Sequence, residues 1–262
     1  MNLESIQNTG LAAVHRAAGE VRKRLGNLSD ITRKGPIDLV TDADHASEKA
    51  IIQVIRSRFP DHAILAEESG ALGDRTDHCW IIDPLDGTTN FAHGLPLFSI
   101  SIAFSAFGEV TAGFVLNPES GELFSAIRGQ GARLNGKKIT VSESKTVEES
   151  LLVTGFPYNF KEILEPVMTR FTRCLTRSRG VRRLGSAALD LCFVACGRFD
   201  AFWEQNLKPW DTAAGFLVAE EAGAVVTDFS NNPFTVDKNE ILATNGKIHM
   251  EMLSLMELDD NI

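Results

Sequence analysis

The stretch WIIDPLDGTTN, from Trp80 to Asn90, decides how this chain is interpreted. Three apolar residues immediately precede Asp83, a pattern that predicts a buried strand followed by an acidic residue. Pro84 lacks a backbone N–H, so we expect it to interrupt the hydrogen-bonded ladder. Asp86 stands three residues after Asp83, and a turn at that spacing aims both carboxylates at one point.

The residues after this turn are suited to binding an anion. Gly87 allows close backbone approach, and the Thr-Thr-Asn that follows it supplies amides and hydroxyls at a predicted helix start. Carboxylates beside a phosphate would repel it unless divalent cations lay between them, and Mg²⁺ is the usual bridge. In the alternative interpretation Asp83 and Asp86 only cap a helix or form an Asx turn. That alternative leaves the coincidence of strand, proline and glycine unexplained.

Three other acidic segments accompany this one. The predicted strand AILA (63–66) is also followed by an acidic residue, Glu67. Ligands of open α/β sheets bind at the carboxyl ends of strands, where this residue would lie. Asp211 lies in KPWDTAAG (208–215), where by itself it would be the N-cap of the following helix. The third segment is DLVTDAD (38–44), which contains a DxD pattern.

Apolar periodicity divides the rest of the chain into helices and strands. Helices are predicted over 2–25, about 44–58, 161–176, 186–197, 211–222 and about 247–257. Strands are predicted at 63–66, 79–82, several times within 97–134, at 151–155, and in FDAFWE, AVVTD and ILAT. The order predicts a layered α/β sandwich that forms a single catalytic unit, with sub-domains 1–150 and 151–262 on one core.

Composition excludes several classes of protein. With 44% hydrophobic and 23% charged residues among 262, the chain is neither disordered, collagen-like nor a coiled coil. It has no apolar run of about 18 residues and no signal-peptide pattern. A net charge of −9 argues against general nucleic-acid binding. The four cysteines form no CxxC pair, so we expect free thiols and a reducing, cytoplasmic location.

The motifs together resemble those of the inositol monophosphatase family of lithium-sensitive, Mg²⁺-dependent phosphatases. The resemblance rests on WIIDPLDGTTNF with upstream AEES and downstream KPWDTAAG, and extends from DLVTDAD to the C-terminal helix. The stretch RRLGSAALDLCFVACGRFDAFWE is similar to that of bacterial members. The resemblance implies a five-layered α-β-α-β-α sandwich, usually a homodimer, that hydrolyses inositol 1-phosphate and similar monophosphates.

The resemblance also implies a role for each motif residue. Glu67, Asp83 and the Leu85 carbonyl would hold a first Mg²⁺, and Asp83, Asp86 and Asp211 a second. Glu67 would also contribute to a weaker third site. Thr88, paired with Asp44, would orient or deprotonate the attacking water, and the Gly87 and Thr88 amides would hold the phosphate. The pocket for the substrate hydroxyls would be lined by Asp86, Gly185, Ser186, Ala187, Glu204 and Asp211.

Two positions leave choices open within this resemblance. The family often has a basic residue before the DLVT segment, and both Arg33 and Lys34 are available for it. Ser186 stands where many relatives have Thr, a change that keeps the hydroxyl.

Alternative functions follow from other features. A dual activity would add fructose 1,6-bisphosphate to the substrates. Asp42-Ala43-Asp44 would instead fit a haloacid-dehalogenase-type phosphatase with a phospho-aspartate, although the preceding strand is interrupted by Asp38. Some bacterial relatives are tied to transcription complexes, and a cluster of arginines would suit such a partner. It consists of Arg170, Arg173, Arg177, Arg179, Arg182 and Arg183.

Overall fold

A computed structural model describes residues 2–26, 31–33, 39–74, 76–157 and 159–258, with the backbone alone for 31–33. The helices among these residues are α1 (Leu3–Arg24), α2 (Asp42–Arg58), α3 (Thr88–Ala92), α4 (Leu164–Arg177), α5 (Ala187–Ala195), α6 (Pro209–Glu221) and α7 (His249–Met256). None of them combines the length and apolarity that crossing a bilayer requires.

Most strands belong to two sheets. Their order in the larger is β10 (Lys137–Lys138), β9 (Ala132–Leu134), β8 (Leu123–Ile127), β7 (Glu109–Leu116), β6 (Ser99–Ala106), β5 (His78–Asp86), β3 (Ala63–Ala66) and β4 (Gly70–Leu72). The smaller sheet has the order β12 (Gly180–Arg182), β11 (Leu151–Thr154), β13 (Ala201–Gln205), β15 (Glu240–Thr244) and β14 (Val225–Thr227). A separate antiparallel pair consists of β1 (Ile31–Arg33) and β2 (Leu39–Thr41).

The helices and the two large sheets form five layers. α1 and α2 cover one face of the eight-stranded sheet and share an apolar core with it. α5 and α6 fill the space between the two sheets, where the second core lies. α4 and α7 cover the outer face of the five-stranded sheet around a third core. The predicted five-layered sandwich is therefore confirmed.

α1 illustrates how local sequence and close packing agree. Asn2 caps it, because its Oδ1 atom accepts hydrogen bonds from the amides of Glu4 and Ser5. Gly10 faces the sheet, and a side chain there would collide with the ring of Phe114. The helix can therefore lie flat against β7.

Three local predictions need correction. The strand of WIIDPLD does not end at Pro84: the ladder with β6 is irregular between Asp83 and Asp86 but resumes at Asp86, opposite Ser99. α2 begins at Asp42, with Thr41 as its N-cap, so it starts two residues earlier than the apolar pattern indicated. Asp211 is not an N-cap, because α6 already begins at Pro209.

The four cysteines are free thiols, as predicted. The arginine cluster, however, is smaller than predicted. Arg170 is buried, where it donates to the Met256 carbonyl and to Gln205, and its guanidinium lies over the ring of Phe229. Arg173 donates to the Glu257 carbonyl. Four arginines remain exposed near the edge strand of the smaller sheet: Arg177, Arg179, Arg182 and Arg183.

Candidate active site

The site begins where the residue after β3 lies beside Asp83 of the parallel strand β5. β3 and β5 pair in parallel, with Ala66 opposite Ile82. The residue after β3, Glu67, continues the ladder, because its amide donates to the Ile82 carbonyl at 3.1 Å. Glu67 and Asp83 are thus neighbours, as predicted, although β5 continues beyond Asp83 to Asp86.

The irregular segment of β5 from Asp83 to Asp86 is held by local side-chain contacts. Asp83 is buried, and its Oδ1 atom accepts a hydrogen bond from the Leu85 amide at 3.0 Å. Thr88 Oγ1 lies 3.0 Å from the Leu85 carbonyl oxygen. Two local contacts therefore hold this irregular segment, and Asp83 keeps a defined orientation within it.

Asp86 is bound by the second half of the chain. Its Oδ2 atom accepts a hydrogen bond from Ser186 Oγ at 2.6 Å and another from the Ala188 amide at 2.8 Å. Both donors lie at the start of α5, where free amides and the helix dipole favour a negative charge. The first turn of α5 is thereby fixed against the end of β5.

Asp211 reaches the same place from α6. Its Oδ2 atom accepts a hydrogen bond from the Lys208 amide at 2.7 Å, a bond that ties the third residue of the helix back to its N-cap. α6 packs between the sheets beside β5 and β6. The carboxylate is therefore held where the acidic strand ends lie.

Charge is crowded at this point. Burial, and then the charges of Glu67, Asp86 and Asp211, raise the pKa of Asp83 well above its usual range. Burial likewise raises the pKa of Asp86 to about 6 and, with the charges of Asp86 and Glu67, that of Asp211 to about 8. Buried carboxylates that repel one another lose free energy unless they are protonated or meet a cation.

The donor set is the kind that Mg²⁺ prefers, namely carboxylate and carbonyl oxygens. Among the described residues, no group of three or more His, Cys, Asp or Glu side chains is already arranged to hold a metal ion. The expectation that a metal ion binds here therefore rests on the repulsion among four carboxylates, which a divalent cation would relieve. These carboxylates belong to Glu67, Asp83, Asp86 and Asp211.

Thr88 and Asp44 form a hydroxyl–carboxylate pair beside these acids. Thr88 Oγ1 donates to Asp44 Oδ1 at 3.0 Å. Asp44 Oδ2 in turn accepts from the amide and the hydroxyl of Thr41, at 2.8 and 2.6 Å. Burial raises the pKa of Asp44, and these hydrogen bonds oppose the rise. The carboxylate is anchored by one oxygen and directed at Thr88 by the other.

Gly87 is required by the space around it. It precedes α3 with a φ of 94°, in the left-handed region. A Cβ atom there would lie 3.0 Å from the Leu97 carbonyl oxygen and 3.1 Å from that of Gly185. Glycine is therefore the residue that fits at this helix start, where the amides of Gly87 and Thr88 lie.

The residues predicted to line a pocket for the substrate alcohol lie at the start of α5 and on β13 of the smaller sheet. Ser186 caps α5 and is followed by Ala187, and Gly185 precedes it with a φ of 92°. Glu204 is buried on β13. This burial, together with the charge of Asp211, raises the pKa of its carboxyl group to about 8. Its carboxylate lies against Gly155, where any side chain would collide with it.

Two residues around the site received no specific role from the sequence. The buried Asn90 donates its amide to the carbonyls of Leu97 and Leu184, at 2.6 and 2.7 Å, and so holds the segment before α5. Asp190 is 1% exposed, and both its carboxylate oxygens are buried without a hydrogen-bond partner in the described part of the chain. A lone acid in the apolar stretch of α5 was the available signal.

Some predicted residues cannot be placed. Lys34 and Asp38 lie outside the described residues, as does the side chain of Arg33, so the choice of basic residue before DLVT stays a prediction. Asp42 and Asp44 of the DxD pattern lie in the first turn of α2.

The chain matches known proteins over nearly its whole length. The model of the inositol monophosphatase family matches residues 2–258. An inositol-1-monophosphatase of Synechocystis sp. is 47% identical over 92% of this chain and 84% of its own length. The Nus factor SuhB of Pseudomonas aeruginosa is 41% identical over 97% of both chains.

Solved structures agree with this match. The extragenic suppressor protein suhB of Bartonella henselae superposes with a TM-score of 0.91 at 38% sequence identity. The superposition covers 96% of this chain and 98% of that one.

Proposed function

The chain belongs to the inositol monophosphatase family, and we propose that it is a Mg²⁺-dependent phosphomonoesterase acting on inositol 1-phosphate and similar polyol or sugar monophosphates. The observation that carries this proposal is the meeting of the Asp83, Asp86 and Asp211 carboxylates beside the Thr88–Asp44 pair. The Synechocystis relative's name supports the choice of inositol 1-phosphate.

Each acidic residue has a place in this proposal. One Mg²⁺ would be held by Glu67, Asp83 and the Leu85 carbonyl. Another would be held by Asp83, Asp86 and Asp211, and Glu67 would contribute to a weaker third site. When bound, the metal ions neutralise the phosphate charge and lower the pKa of water. The protein's share is to hold these oxygens in place before the substrate arrives.

The remaining residues handle the proton, the phosphate and the alcohol. Thr88 Oγ1 would orient the attacking water, and the Asp44 carboxylate would take up the proton that passes to that hydroxyl. The amides of Gly87 and Thr88 would donate to the phosphate oxygens. Glu204 would accept hydrogen bonds from hydroxyls of the leaving alcohol, beside Gly185, Ser186 and Ala187.

The family membership supports further expectations about the whole molecule. We propose a homodimer, inhibition by Li⁺ and a cytoplasmic location, to which the free cysteines are suited. We also propose that residues 1–262 act as one catalytic unit with sub-domains 1–150 and 151–262. The hydrogen bond between Asp86 and Ser186 joins the two sub-domains at the site itself.

The test is a phosphate-release assay with and without Mg²⁺. The substrates compared are inositol 1-phosphate, fructose 1,6-bisphosphate, 3′-phosphoadenosine 5′-phosphate and histidinol phosphate. We expect the highest kcat/KM on inositol 1-phosphate and no release in EDTA. Comparable rates on fructose 1,6-bisphosphate would establish the dual activity instead, and release without any divalent cation would contradict the proposed mechanism.

A second candidate function is binding to a transcription complex, in addition to catalysis. It is favoured by the exposed arginines Arg177, Arg179, Arg182 and Arg183 at the edge of the smaller sheet, and by relatives named Nus factor SuhB. A pull-down with RNA polymerase components tests it. The double variant Arg177→Glu/Arg179→Glu should lose binding, whereas Lys137→Glu/Lys138→Glu, an equal charge change on exposed β10, should not. Equal binding by wild type and both variants would contradict this role for the arginines.

A further inference from the structure

One buried face of α2 contacts three separate segments of the candidate site. Asp44, Ser47 and Glu48 share this face, because residues three and four apart on a helix are neighbours. Asp44 accepts from Thr88, and Ser47 Oγ donates to the Pro84 carbonyl at 2.7 Å. Glu48 is directed at the third segment, the turn between β3 and β4.

Glu48 binds that turn with both carboxylate oxygens. Its Oε2 atom accepts a hydrogen bond from the Glu68 amide at 3.0 Å, and its Oε1 atom accepts one from the Ser69 hydroxyl. The side chain is 3% exposed. A buried carboxylate is costly unless donors satisfy it, so these two bonds keep it in one orientation.

The two bonds lie immediately next to Glu67. The amide of Glu67 is fixed to the Ile82 carbonyl on β5, and the next amide, that of Glu68, is fixed to Glu48 on α2. The backbone on both sides of the Glu67 side chain is therefore attached to different elements. Its carboxylate can move only through its own side-chain torsions.

We propose that Glu48 is a positioning residue, which sets the place of the Glu67 carboxylate and thereby the affinity for the metal ions that Glu67 contacts. This inference rests on the proposed function, since it takes Glu67 as a metal ligand. Residues that hydrogen-bond to metal-binding groups commonly control metal affinity by holding those groups still. The competing role is purely structural, in which Glu48 only stabilises the β3–β4 turn.

Four variants separate the two roles. Glu48→Ala removes both hydrogen bonds, and Ser69→Ala removes one while leaving the buried acid in place. Glu48→Gln keeps both bonds, because its carbonyl accepts from Glu68 and its amide donates to the Ser69 oxygen. Ile55→Val is the control, since Ile55 is fully buried on α2 within the apolar core.

The measurement is calorimetric titration of each substrate-free protein with MgCl₂, together with its Tm in EDTA. We expect Glu48→Ala to weaken Mg²⁺ binding by about 10- to 100-fold. Ser69→Ala should weaken it less, and Glu48→Gln should bind close to wild type. Ile55→Val should lower Tm without changing Mg²⁺ affinity.

Wild-type Mg²⁺ affinity in Glu48→Ala and Ser69→Ala, with a lower Tm, would overturn the proposal and leave Glu48 a structural residue. Should Glu48→Ala not fold, the comparison of Ser69→Ala with Ile55→Val decides. Failure of the proposed function would appear differently, as wild-type protein that binds Mg²⁺ but releases no phosphate from any ester. The titrations need no substrate, so they remain informative in that case.

Discussion

Ser186 donates its hydroxyl to the Oδ2 atom of Asp86 at 2.6 Å, across 100 residues of sequence. The bond joins the end of β5 in the larger sheet to the first turn of α5, which packs between the sheets. The Ala188 amide binds the same oxygen at 2.8 Å. The end of β5 and the start of α5 therefore share one carboxylate, so a disturbance of either element should affect the other.

Asp83→Asn should abolish phosphatase activity while leaving the fold intact. Asp83 would contact two metal ions, so its loss should lower kcat about a thousandfold or more. The metal-free variant should have a higher Tm than wild type, because a repelled buried charge has been removed. Phosphate release at saturating Mg²⁺ and calorimetry in EDTA measure the two effects. A folded variant that kept a large part of the wild-type rate would refute the metal assignment.

Thr88→Ala should lower kcat much more than it changes KM. The substitution removes the hydroxyl that Asp44 orients but keeps the backbone amide proposed to hold the phosphate. Thr88→Ser is the control, since it retains the hydroxyl and should retain most of the activity. Steady-state kinetics at saturating Mg²⁺ measure both parameters. An unchanged kcat with a raised KM would instead make Thr88 a binding residue.

Glu204→Gln should discriminate between substrates. Above pH 8, where Glu204 is ionised, the substitution removes a charge that accepts hydrogen bonds from ring hydroxyls, so transition-state binding of inositol 1-phosphate should weaken by about 1.5–3 kcal/mol. Hydrolysis of 4-nitrophenyl phosphate, which lacks those hydroxyls, should change little, as should the Mg²⁺ dependence. Equal losses in kcat/KM on both substrates, with a shifted Mg²⁺ requirement, would place Glu204 among the metal-binding residues.

The metal-free protein should become less stable as the pH rises from about 5 to about 8. The raised pKa values are about 6 for Asp86 and about 8 for Asp211 and Glu204, whereas unfolded carboxyls titrate near pH 4. Between these limits the folded state binds more protons, so its free energy of unfolding falls with increasing pH.

Calorimetry in EDTA across this pH range tests the prediction, with saturating MgCl₂ as the control. The cation should raise Tm most at the higher pH values, because it offsets the ionised carboxylates. Glu204→Gln should reduce the slope of Tm against pH in EDTA. A constant or rising Tm of the metal-free protein over the same range would contradict the repulsion inferred among these acids.

The sequence by itself determined the local features of this protein. Apolar runs followed by an acidic residue identified β3 and β5, and helical periodicity identified α1 and most of the other helices. Both signals depend only on residues that are close together in the sequence. The spacing of WIIDPLDGTTN indicated a phosphate and metal site, and its resemblance to a family indicated the layered fold. These signals lie within short stretches of chain.

Only the tertiary structure decided which distant groups meet. Whether Arg170 is a surface cation or a buried one depends on Gln205 and Met256, which lie on other elements. The contacts of Glu48 with Ser69 and of Asp86 with Ser186 arise from helices packing against strand ends, and no local pattern encodes that packing. Burial and charge repulsion follow from the same packing, so the raised pKa values could not be predicted from residue types alone.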